Sequence, residues 1–217
     1  MTNNLPDRGQ ASVPGHGSQS SPDPGFYSGR GVGVLESAPE DARPGPGPRV
    51  IGLDLSLAST GVASNLGWVG RILSKPDTGV GHFGRLRYIR SQVLDYVRGT
   101  DLVMVEGLAH GSLTGQHLTR AGMWHMVMDA VDAAGIPWAQ VSPAQVKQYA
   151  TGKGNASKDL VLASVIRRFP AVEVSGNDEA DALVLAAMGA DHLGRPIVEM
   201  PVLQRKALRK VVWPDAA

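Results

Sequence analysis

Two short apolar runs, each closed by a carboxylate, constrain this chain more than any other feature of it. Val50-Ile51-Gly52-Leu53-Asp54-Leu55 is apolar on both alternating faces and carries one acid, Asp54. Leu102-Val103-Met104-Val105 is continuously apolar and is followed at once by Glu106. Strands covered on both faces read this way, because neither side meets water. An unpaired charge in such a strand costs several kcal/mol, so packing alone does not select Asp54. Glu106 taken alone reads better as an ordinary strand-end residue.

The rest of the pattern fits around these two strands. Gly61–Ser64 and Gly67–Leu73 read as short strands separated by turn residues, an antiparallel meander with the first. Leu86, Ile89, Val93, Leu94 and Val97 recur at helical spacing and predict a helix over 82–98. A second helix is expected over 114–134, ended by Gly135-Ile136-Pro137, and a strand over Trp138–Val141. Ser142-Pro143 is a helix start, with Ser as N-cap and Pro in the first turn. Further helices are expected over 156–169 and 178–191. Strands followed by alternating helix and strand predict an α/β fold with a mixed five-stranded sheet flanked by helices.

Composition divides the 217 residues unevenly. Residues 1–48 hold 8 of the 15 prolines and 9 of the 27 glycines, and have almost no apolar periodicity. Such a segment buries too little surface to offset chain entropy, so a disordered tail is expected there. Residues 49–191 form the expected domain, and 192–217 a basic C-terminal extension. The chain has no cysteine, which excludes disulfides, thiolate-held metal and a thiol nucleophile. No run approaches the roughly 20 apolar residues of a membrane span, so a cytoplasmic protein without a membrane partner is expected. Net charge is only +1, but Lys147, Lys153, Lys158, Arg167 and Arg168 cluster against a single acid, Asp159. A local basic patch on a near-neutral chain fits a nucleic-acid partner, although from charge alone a solvated surface is the better account.

Two more acids, Asp178 and Asp181, stand three apart at the start of the last predicted helix and share one face. Each alone is explained by the helix dipole. Together with Asp54 and Glu106 they make an all-oxygen donor set, which favours Mg²⁺ or Mn²⁺ over Zn²⁺. Two such ions about 4 Å apart can activate water and stabilise a leaving oxygen in phosphodiester hydrolysis.

In order along the chain, four segments resemble the RuvC family of Holliday-junction resolvases. These are Ile51-Gly52-Leu53-Asp54 with Thr60-Gly61; Val103-Met104-Val105-Glu106; Ser142 to Lys147 with Gly152 to Lys158; and Asn177-Asp178-Glu179-Ala180-Asp181-Ala182-Leu183. The resemblance covers roughly 50–188. It implies an RNase H-like fold and a Mg²⁺-dependent endonuclease that resolves four-way junctions or other branched DNA by paired nicks, as a homodimer. It places the reaction in a bacterial or phage-infected cytoplasm, with two ions per site. Asp54, Glu106, Asp178 and Asp181 become metal ligands, with Asp54 bridging. Lys158 becomes a catalytic residue, and Lys147, Lys153 and Lys158 DNA contacts.

The chain departs from the family in two places. Leu55-Ser56-Leu57 stands where the bacterial enzymes have Pro-Gly-Ser. Gly107–Gly111 contains no aromatic residue to stack at a junction centre; His110 is the nearest substitute. Two other functions stay open at this level: a non-catalytic binder of branched DNA, and a relative of the actin-like phosphotransferases, which share the sheet. Arg85, Arg87 and Arg90 could line DNA, but solvated helix surface is the better account of them. Trp124, His125, Met126 and Met128 are open between dimer contact and core. Arg205–Lys210 reads as a short basic helix.

Overall fold

The computed structural model describes residues 47–76, 81–108 and 115–215. All but the last two residues of the expected tail, 1–48, lie outside the described residues.

The sheet has five strands: β1 (Val50–Asp54), β2 (Ser59–Ser64), β3 (Trp68–Leu73), β4 (Leu102–Glu106) and β5 (Trp138–Val141). Their order is β3-β2-β1-β4-β5. The first three pair antiparallel, whereas β1–β4 and β4–β5 pair parallel. This is the mixed five-stranded sheet expected from the sequence. β1 and β4 occupy its middle, which is why both are apolar on both faces.

Alternation along the strands divides the core in two. Ile51, Leu53, Val103 and Val105 point to one face and pack under α1 (Gly81–Val97) and α2 (Gly115–Ala133). Val50, Leu102 and Met104 point to the other face, under α3 (Pro143–Thr151), α4 (Lys158–Arg168) and α5 (Asn177–His192). Trp124 and Met128 are buried in the α1–α2 layer, so core packing accounts for them; His125 is exposed. The helix starts follow their signals. Ser142 and Gln145 form a reciprocal capping box with Pro143 in the first turn, and the Ser157 hydroxyl accepts from the Leu160 amide.

α5 lies directly on β1 and β2, and two glycines set its depth. A Cβ on Gly52 would sit 2.1 Å from the Ala182 carbonyl oxygen and 2.6 Å from the Ala186 amide. A Cβ on Gly61 would sit 2.0 Å from the Asp178 carbonyl oxygen. No side chain fits either place while the helix stays where it is. The facing residues Ala182 and Ala186 are themselves small and fully buried.

The residues after Asp191 fold back onto α3. α6 (Val202–Arg205) runs into a 3₁₀ turn over Lys206–Lys210. Ala207 and Val211 join the core of the α3–α5 layer. Gln204 donates to the Ala150 carbonyl (2.9 Å), and Gln145 donates to the Ala207 carbonyl (3.3 Å). Arg205 grips buried Asp191 through Nη2 (2.7 Å) and Nε (3.0 Å), while the Tyr149 hydroxyl donates to the same carboxylate (3.0 Å).

Gly52→Ala is expected to destabilise the chain by about 3 kcal/mol or more, since the clash is with backbone that cannot rotate away. Urea denaturation followed by circular dichroism reads this; an unchanged midpoint would mean that α5 does not ride so close to β1.

Candidate active site

Asp54 and Glu106 end adjacent parallel strands, and both fall in the alternation that faces α5. Asp54 is paired in register with Gly61, the residue against which the first turn of α5 is pressed. The same close approach therefore carries Asp178 and Asp181 to the ends of β1 and β4. The four carboxylates line one open cleft of about 440 Å³ together with Lys147 and Lys158. Lys153 does not line it; that residue is exposed in the turn between α3 and α4.

Burial and mutual repulsion act on the acids together. Asp54 is raised to about 7, first by burial and then by Asp181 and Asp178, against the opposing charges of Lys158 and Arg120. Glu106 is raised to about 8 by burial, Asp54 and Asp181, with Lys158 and Lys147 opposing. Asp181 rises to about 6, again chiefly by burial; Lys158 and Lys147 pull it down and Asp178 pushes it up. Neither lysine closes an ion pair with the acids among the described residues.

Neighbouring polar groups hold the frame rather than the cleft. Glu179 stands between Asp178 and Asp181 in sequence but turns the other way. It accepts from the Ser175 amide (2.7 Å) and hydroxyl (2.8 Å) and pairs with Arg71 (3.2 Å), bracing the start of α5. The loop after Asp54 is pinned by Thr60, whose hydroxyl accepts from the Ser56 amide (3.1 Å) and donates to the Ser56 carbonyl (2.8 Å). Arg85 donates to the carbonyls of Leu57 and Ser74, so it braces this loop instead of forming open surface. The Trp124 indole donates to the Glu106 carbonyl (2.9 Å) and ties α2 to the end of β4. Ala109–Gly111, including His110, lie outside the described residues.

Sequence reasoning passed over two cleft residues, Gln116 and Arg120 of α2. They belong to no acidic or lysine motif. Their only sequence signal is a spacing of four on one helix, which says nothing about a cleft until the helix is placed.

The donor set fits a hard divalent cation: it is all oxygen, and an ion of opposite charge would relieve the repulsion that raises three of the acids. Among the described residues no three His, Asp or Glu side chains form a ready metal cage. Mg²⁺ commonly keeps several waters and takes one or two carboxylates, so an open arrangement suits it.

An RNase H-like α/β sheet with a carboxylate-lined cleft at the ends of its central strands is the class of protein defined here. No protein-family model matches the chain. It is 41% identical over 59 residues to the crossover junction endodeoxyribonuclease RuvC of Zymomonas mobilis. That stretch is 27% of this chain, and spans only 35% of the relative. In three dimensions it resembles Thermus thermophilus RuvC, with a TM-score of 0.56 and 22% identity over 68% of this chain and 98% of that one. The same protein in complex with a Holliday junction substrate matches with a TM-score of 0.54 and 21% identity, over 69% and 98%. The chain is RuvC-like, in fold throughout these matches and in sequence over the shorter stretch. Among the described residues no helix is long and apolar enough to cross a membrane.

The raised acids make stability depend on pH in a definite direction. Asp54, Glu106 and Asp181 bind protons in the folded chain at pH values where the unfolded chain has released them. Metal-free stability is therefore lost as pH rises from about 4 towards about 8. The melting temperature without metal should fall between pH 5 and pH 8. Asp54→Asn should flatten that fall, and Mg²⁺ should raise the wild-type value more at pH 8 than at pH 5. A flat wild-type profile in calorimetry would contradict the repulsive cluster.

Proposed function

We propose that the chain is a structure-specific endonuclease that nicks branched DNA, with the four-way junction as its substrate. The observation that carries this reading is the convergence of Asp54, Glu106, Asp178 and Asp181 with Lys147 and Lys158 in one open cleft of a RuvC-like fold. The names of its relatives, a crossover junction endodeoxyribonuclease and a RuvC bound to a Holliday junction, point to the same substrate.

In this reading the four carboxylates hold Mg²⁺, or Mn²⁺ in its place. Bound there, divalent ions would supply an activated water and neutralise charge on the leaving oxygen. The chain's own groups do the rest. Lys147 and Lys158 supply compact positive charges that draw a backbone phosphate toward the acids. Lys158, whose charge acts on Asp54, Glu106 and Asp181 alike, is placed to stabilise charge developing on the phosphate oxygens. Thr60 and Arg85 keep the loop beside Asp54 from moving as the strand enters. Asp54, Glu106, Asp178 and Asp181 share a single cleft, so paired nicks call for a second copy of the chain, and a homodimer is part of the proposal. Residues 49–191 supply all the proposed site residues, with the segment beyond 191 bracing α3.

The test is cleavage of end-labelled synthetic four-way junctions against the matching linear duplex, with Mg²⁺, Mn²⁺ or EDTA. Metal-dependent nicks in the junction alone are expected. Asp54→Asn should reduce cutting by about 10³-fold or more while leaving junction binding in place. An active Asp54→Asn protein, or cutting that survives EDTA, would sink the mechanism. Removing residues 1–46 spares Pro48, whose carbonyl accepts from Asn65, and should leave nicking within about two-fold. An inactive truncation with an intact circular-dichroism spectrum would show that the tail takes part.

A further inference from the structure

The cleft is reached from both faces of the sheet. Lys147 and Lys158 come from α3 and α4 on one face, and Gln116 and Arg120 come from α2 on the other. Gln116 and Arg120 are four residues apart, so they stand one above the other on the same side of the helix. Both are exposed. The Arg120 guanidinium makes no hydrogen bond or ion pair among the described residues, although its charge is felt at Asp54. Its charge acts on the acids through space, which leaves its donors free for another partner. Among the described residues its planar set of donors is uncommitted, at the lining of the cleft where an anion would enter. That donor set matches a phosphate in two-point contact, which a lysine cannot offer.

We propose that Gln116 and Arg120 form a second backbone-phosphate subsite, on the α2 side of the cleft, that holds a phosphate neighbouring the one to be cut. The inference rests on the nuclease reading and deepens it. Lysines hold the strand from one face of the sheet and Arg120 from the other, with the carboxylates between them. Two anchor points fix the direction in which the strand crosses the acids, which a single point charge does not. Arg120 is thus a positioning residue, with the Gln116 amide as a neutral donor one turn away.

Binding in the cutting-deficient Asp54→Asn background, without divalent metal, separates this role from catalysis. Affinity for a fluorescent four-way junction is measured across a salt series for Asp54→Asn alone and combined with Arg120→Ala, Arg120→Lys or Lys147→Ala. Arg120→Ala is expected to weaken binding about five- to ten-fold and to reduce the slope of log affinity against log salt by about 0.9, the loss of one phosphate contact. Arg120→Lys should restore the slope, and nicking by Arg120→Ala should fall mainly through KM. If Arg120→Ala changes only the melting temperature, Arg120 is a counterweight to the acids and the subsite is overturned. If Lys147→Ala lowers the slope while Arg120→Ala does not, the subsite fails and the nuclease reading stands. A chain that neither binds nor nicks branched DNA overturns both.

Discussion

The distance between α5 and the sheet decides most of what this molecule can do. Gly52 and Gly61 present bare backbone to Ala182, Ala186 and the Asp178 carbonyl, and the helix settles into the space that two missing side chains leave. Its first turn then lies beside the residue paired with Asp54. One packing arrangement thereby completes the larger core layer and brings acids from opposite ends of the domain together. A helix held off by one methyl group would still cover the sheet, but its carboxylates would no longer share a cleft with those of β1 and β4.

That arrangement sets function against stability. Burial and like charge raise Asp54, Glu106 and Asp181 well above ordinary carboxylates. Packing would be better served by neutral groups in all three places. The surroundings contain the conflict without removing it: Glu179 is withdrawn into its own pair with Arg71 and Ser175, and the lysines stay near the cluster without closing ion pairs. Residual charge of this kind is what a site needs if it is to take up cations and then an anionic strand.

Much of this was legible in the sequence because it rests on short-range rules. β1 and β4 announced themselves through apolar runs ended by acids, and α3 through Ser142 and Pro143; the sheet and its flanking helices followed. What stayed hidden depends on where elements meet. Arg85 looked like any surface arginine, yet it holds the loop after Asp54 through the Leu57 carbonyl. The spacing of three set Asp178 and Asp181 apart from Glu179, but did not show the partners that Glu179 finds in Ser175 and Arg71. Lys206, Arg209 and Lys210 drew attention as charge, whereas Ala207 and Val211 between and after them secure that segment in the core. Arg120 carried no motif at all and entered the cleft only through the placement of α2.

The route of the chain has a consequence in time. β1 and α5 are more than a hundred residues apart in sequence, and their contact closes a loop that contains β4, β5 and the intervening helices. Contacts of that span slow folding, because the entropy of closing the loop must be met before they reward it. Asp54 and Glu106 sit on strands paired directly with each other, whereas Asp178 and Asp181 join them only through that longer closure. Docking of α5 is what completes the set of four carboxylates in the cleft.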